Sequence, residues 1–218
     1  MFQMMFASCA SLADGSTKSR TQTDRINRLQ ASSQYKDGEF VNPIDAPIMA
    51  AGSTWNYIKK SYFSERIDPE PTGELPVKAV LRNDWKNMDR EKLFFSWLGH
   101  SSILIAADGK MVLVDPVLEN RASPFAWVGP KRFHPSPVTV YELPPIDVVV
   151  ITHDHFDHLE EPTIKRLDSK TGLFLVPLGI GELIEDWGIA PEKVVELDWW
   201  EHHKVDTCLL YTSDAADD

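Results

Sequence analysis

Three of the seven histidines of this chain fall within six residues, in the run His153-Asp154-His155-Phe156-Asp157-His158. Imidazole nitrogen and carboxylate oxygen together suit zinc, and also iron or manganese. In an extended segment, residues at i, i+2 and i+4 point to one side. His153, His155 and Asp157 are therefore expected to converge, while Asp154 and Phe156 point away and Phe156 packs into the core below. His158 falls at the turn into the next element, where it addresses a second metal beside the first. A metal held there lowers the pKa of its water to about 7, which makes hydroxide available for hydrolysis at neutral pH. Two metals clamp the attacking and leaving oxygens together. Folding alone gives little reason for such a cluster, because its members repel when protonated and lose solvation when buried. The spacing differs from the helical His-Glu-x-x-His pattern, so a zincin-type protease is not indicated.

A cluster of this kind needs rigid elements to aim it. Residues 147–151 (DVVVI) form a continuous β-branched run, as in a strand buried on both faces, and the cluster begins just past its carboxyl end. Open α/β sheets place ligand sites at that edge. Upstream, residues 93–98, 102–107 and 111–115 read as three strands, the last two joined by the hairpin turn Asp108-Gly109. Seven prolines in residues 116–145 forbid regular helix or central strand there, and a loop of that length tends to be functional. Downstream, a helix with Pro162 in its first turn runs to about Leu167. A strand follows at 173–176, a helix at 180–187 capped by Gly188, and a strand at 193–197. This alternation indicates an α/β architecture.

The cluster and its flanks resemble a known family. His-x-His-x-Asp-His is the signature of the metallo-β-lactamase superfamily. Trp97-Leu98-Gly99-His100-Ser101-Ser102, Val114-Asp115-Pro116, Arg121-Ala122-Ser123-Pro124, Gly129-Pro130-Lys131-Arg132-Phe133, Glu142-Leu143-Pro144-Pro145-Ile146-Asp147 and Leu197-Asp198-Trp199-Trp200-Glu201 are similar to the N-acyl-phosphatidylethanolamine-hydrolysing phospholipase D branch and its bacterial relatives. The resemblance runs over residues 90–203. It implies an αββα sandwich of two sheets flanked by helices, with two zinc ions at one edge. His153 and His155 would bind the first ion, and Asp157 and His158 the second. Asp157 would also orient the nucleophile, as the catalytic residue. Asp115 would orient a ligand histidine, or serve only as a turn residue before Pro116. His100 would line the site, or be an ordinary loop histidine. Lys131 and Arg132 would meet a phosphate, or form a solvated charged pair.

The implied activity is metal-dependent hydrolysis of a small-molecule or lipid phosphodiester by metal-bound hydroxide. A lactonase, a thioesterase or a ribonuclease on the same fold is the rival reading. The family's further ligands, a histidine, a bridging aspartate and a last histidine, match nothing in this chain. His202 and His203 read as surface residues. The chain is therefore expected to hold the amino-terminal half of the sandwich, to be catalytically incompetent as it stands, and to leave an apolar sheet face open.

Four stretches are expected. Residues 1–34 read as a flexible tether rich in Ser, Thr and Gln, and 35–90 as an extension with a short helix near 53–63. Residues 91–207 would be the partial hydrolase domain. Residues 208–218 (CLLYTSDAADD) resemble the translation of a sequencing-library adapter and are expected to be foreign to the fold. Phe6-Ala7-Ser8-Cys9 looks like the end of a lipoprotein signal without its basic and apolar regions. Cys9 is either a lipidated membrane anchor in a bacterial envelope or part of an ordinary apolar start. With two cysteines, neither a disulfide framework nor a cysteine zinc site is expected. A net charge of -11 argues against nucleic acid or anionic lipid as an electrostatic partner.

Overall fold

The computed structural model describes residues 22–42, 71–86, 88–89, 92–123, 131–206 and 208–211. The short strands β1 (Tyr35–Lys36) and β2 (Glu39–Phe40) pair with each other. The main sheet is built from β3 (Phe94–Gly99), β4 (Ser102–Ala107), β5 (Lys110–Val114), β6 (Ile146–Val150), β7 (Thr171–Pro177) and β8 (Val194–Leu197), in that spatial order. The first three strands form an antiparallel meander, and β5 to β8 run parallel. Asp108 (φ 49°) and Gly109 (φ 75°) both lie in the left-handed region, as the two-residue turn between β4 and β5 requires.

The parallel strands need crossovers, and two short helices supply them. Glu161–Leu167 joins β6 to β7, with proline in its first turn. Gly181–Asp186 joins β7 to β8. Gly188, at φ 102°, closes it by donating its N–H to the carbonyl of Glu185 (2.8 Å). Ile164, Leu167 and Ile184 from these helices pack against Leu104, Leu113, Val149 and Phe174 on one face of the sheet. The α/β architecture expected from the alternation is the one that forms. It supplies one helical layer and one sheet layer of the expected sandwich.

The opposite face carries Val112, Val148, Val150, Leu175, Val195 and Leu197. A hairpin of β9 (His202–Val205) and β10 (Cys208–Tyr211) covers part of it and buries Leu210 there. The hairpin reaches back to the sheet through an ion pair between Lys110 and Asp206. Residues 208–211 thus pair and pack, where a foreign segment was expected. The apolar alternation at Val205 and Leu210 meets an apolar face, and that contact is indifferent to the segment's origin.

The stretch 1–34 also differs from expectation in its second half. Gln22–Ala31 is a helix. It buries none of its residues fully, so no apolar stripe announces it. It is held instead by ion pairs to acids more than 150 positions away, from Arg25 to Glu185 and Glu196 and from Arg28 to Glu201. Cys9 and the helix expected near 53–63 lie outside the described residues. Among the described residues, no helix is long and apolar enough to cross a membrane.

Candidate metal centre

The histidine cluster lies where the sequence pattern aims it, past the carboxyl end of the parallel strand β6, with Asp115 past that of β5. Asp115 follows β5, and its N–H continues the ladder to the carbonyl of Val150 (2.9 Å). Its φ of 42° turns the carboxylate back across the strand ends. The side chain is almost fully buried. Oδ1 accepts the Thr152 N–H (2.8 Å), and Oδ2 accepts the Thr152 hydroxyl (2.7 Å). The same Oδ2 meets Nδ1 of His158 at 2.8 Å. A histidine anchored at Nδ1 presents Nε2, and that nitrogen lies 3.9 Å from the carboxylate of Asp157.

The three histidines of the cluster come together. The ring of His158 lies 3.9 Å from that of His153, which lies 4.5 Å from that of His155. Asp157 does not join by the extended alternation expected of it. After His155 the chain turns, with the N–H groups of His158 and Leu159 both donating to the His155 carbonyl (2.9 and 2.8 Å). The turn carries Asp157 toward His100, whose Nε2 lies 2.8 Å from its Oδ2. It also turns Phe156 outward to solvent, 56% exposed, where core packing was expected. Ligand atoms of His100, Asp157 and His158 all lie within 4.8 Å of one another.

The electrostatics favour a neutral His153 near an ionised Asp157. Burial, with repulsion from His158 and His155, pulls His153 below the ordinary histidine value. Burial also pulls on His158, but the hydrogen bond and charge of Asp115 outweigh it and lift His158 above the ordinary value. Burial would raise Asp157, yet its own backbone and the His100 hydrogen bond hold it below the usual carboxylate range. Nitrogen and oxygen donors of this kind, one of them aligned by a buried carboxylate, fit a zinc-type ion.

Residues 110–215 match the family model described as Beta-lactamase superfamily domain. A protein of Mycobacterium tuberculosis, described as uncharacterized, is 38% identical over 184 residues, covering 81% of this chain and 47% of that protein. An N-acyl-phosphatidylethanolamine-hydrolyzing phospholipase D of Caenorhabditis elegans is 36% identical over 132 residues, covering 58% of this chain and 36% of that protein. A metal-dependent hydrolase of Caldivirga maquilingensis is 33% identical over 85 residues, covering 39% of this chain and 31% of that protein. The chain carries a domain of the metallo-β-lactamase superfamily over residues 110–215. The chain spans about half the length, or less, of these curated relatives.

The superfamily signature alone does not name every residue that shapes the site. Thr152 was missed. Its hydroxyl joins Asp115 to Nδ1 of His153 (2.9 Å), and a hydroxyl residue directly before the cluster was the available signal. Ser102 was missed as well. Its buried hydroxyl donates to the Asp115 carbonyl (2.7 Å) and accepts the Val117 N–H (2.9 Å), which ties β4 to the loop after Asp115. Arg132 is engaged by the protein's own backbone. It donates to the carbonyls of Val117 (2.6 Å) and Leu98 (2.7 Å) and braces the proline-rich loop against β3. His202 is exposed and His203 half-buried, both on β9.

Proposed function

We propose that the protein is a metal-dependent hydrolase of phosphodiesters, of the phospholipase D type, that works with two zinc ions. The observation that carries this reading is the pairing of His158 with the buried Asp115, which aims Nε2 of His158 toward Asp157 beside the His153–His155 pair. When bound, zinc supplies Lewis-acid activation of water and of a phosphoryl oxygen at neutral pH. The chain's own residues do the holding. His153 and His155 take the first ion, and Asp157 and His158 take the second. Asp115 keeps His158 in one tautomer, and Asp157, held ionised, orients the attacking group.

The substrate class rests on the likeness to the phospholipase D of Caenorhabditis elegans. It also draws on a hollow of about 610 Å³ that none of the cluster residues lines and that reaches Gly99, next to His100 in sequence; its wall includes Trp85, Met88, Phe94, Trp97 and Leu98. Such a wall suits the apolar part of a lipid. The test is a side-by-side assay of phosphodiester, lactone and thioester substrates by the zinc-loaded full-length protein. Zinc-dependent turnover of the phosphodiester, lost in His155→Ala, is expected. Faster turnover of a lactone or thioester would overturn the substrate class. Full zinc retention in His155→Ala would overturn the ligand set.

A further inference from the structure

We propose that the turn between β3 and β4 is a clamp on Asp157, in which His100 and Ser101 are positioning residues for the second metal. The proposal rests on the metal-site reading above.

Asp157 is gripped at both ends by neighbours in sequence. His100 Nε2 lies 2.8 Å from Oδ2 of its carboxylate, and the Ser101 hydroxyl donates to its backbone carbonyl (3.0 Å). One grip sets the carboxylate and the other sets the peptide that carries it. His100 engages Oδ2, the oxygen that also lies 3.9 Å from Nε2 of His158. Carboxylates that ligate metals are commonly held by such outer hydrogen bonds.

The turn itself is fixed in an uncommon shape. The register of β3 against β4 shifts between Trp97 and Gly99, a bulge of the kind that re-aims side chains at a sheet edge. Gly99 (φ 103°) and His100 (φ 48°) both occupy the left-handed region, which is uncommon for a residue with a side chain, though histidine enters it more often than most. The Trp97 indole donates to the His100 carbonyl (2.7 Å). Arg132 holds the Leu98 carbonyl from the other side, and a Cβ placed on Gly99 would meet its Nη2 at 2.4 Å. A loop histidine with no task needs no such scaffold. Here two hydrogen bonds hold the turn, and its two polar side chains both end on Asp157.

The test is zinc binding to the full-length protein, read by chelator competition and by the visible spectrum of the cobalt form. We expect His100→Ala to weaken the second ion about 10- to 100-fold, leaving the first ion and the saturating stoichiometry unchanged. His100→Gln, which keeps a side-chain N–H donor, should restore most of that affinity and the cobalt spectrum. Ser101→Ala should weaken the same ion by less, which keeps the test available if His100→Ala does not fold. Unchanged affinity in all three variants would overturn the clamp. A lost equivalent of metal at saturation in both His100 variants would also overturn it, making His100 a ligand. Wild-type protein that binds no metal would instead sink the underlying metal-site reading.

Discussion

Nδ1 of His158 lies 2.8 Å from Oδ2 of Asp115, a carboxylate whose residue is only 2% exposed. The pair decides which nitrogen of His158 is free and where it points. Asp115→Asn keeps the volume but replaces the charge, and its amide can offer His158 a donor where an acceptor stood. Zinc affinity should fall about 10- to 100-fold, as for other partners behind a ligand histidine. In the metal-free protein the His158 pKa should fall too, because burial lowers it and Asp115 is the largest influence lifting it. Chelator competition and a histidine titration by NMR check the two effects. Unchanged zinc affinity would remove Asp115 from the site's account.

At Gly99 an added side chain would have to displace the end of Arg132. A Cβ there meets Arg132 Nη2 at 2.4 Å, and the φ of 103° is unfavourable for any L side chain. Gly99→Ala should cost about 1–3 kcal/mol, by strain at a left-handed position. Denaturant unfolding of the metal-free protein measures this. A cost under about 0.5 kcal/mol would mean that the turn relaxes freely.

The strands were legible because their burial is written in their composition. The run 147–151 has β-branched residues at four of its five positions, and Asp108-Gly109 carries the positive φ that its hairpin demands. The convergence of His153, His155 and His158 was legible from spacing. The direction of Asp157 was not, because alternation assumes an extended chain and the His155 carbonyl instead collects two N–H groups into a turn. The outward position of Phe156 follows from the same turn. The helix Gln22–Ala31 was hidden for a different reason: its anchors are charges whose partners are distant in sequence. Local pattern carries no information about such pairs.

Those anchors can be tested. Arg25 lies beside Glu185 and within 3.5 Å of Glu196, whose side chain is almost fully buried. Glu196 also accepts the N–H groups of Gly179 and Gly181 (both 2.9 Å), so it cannot swing out to solvent cheaply. Arg25→Ala should cost about 1.5–3 kcal/mol, the range for a hydrogen bond to a charged group, because it removes the bond to Glu185 and the positive charge beside Glu196. It should also expose Gln22–Ala31 to proteolysis before the sheet unfolds. A variant with wild-type melting and wild-type protease resistance would show that the helix docks without these charges.

Glu160 gives a prediction whose sign depends on pH. Burial raises its pKa above the ordinary glutamate value, although Thr163 and the N–H groups of Leu118 and Glu119 pull the other way. All three of those donors converge on Oε2, while Oε1 is buried with no hydrogen-bond partner among the described residues. The folded state therefore holds its proton more tightly than the unfolded chain does. Stability must fall as pH rises from the unfolded pKa through the folded one, and the whole penalty is present above it. Glu160→Gln is neutral at every pH and keeps an oxygen for the same three donors. It should stabilise metal-free protein at pH 8 by about 1 kcal/mol, roughly 2–4 °C in melting temperature for a chain of this size. At pH 4, where Glu160 is protonated in the fold, the gain should vanish. Melting curves of both proteins at the two pH values decide it. A gain of equal size at both would assign the effect to shape instead of charge, and a loss at pH 8 would mean that the ionised carboxylate is worth more to those three donors than its burial costs.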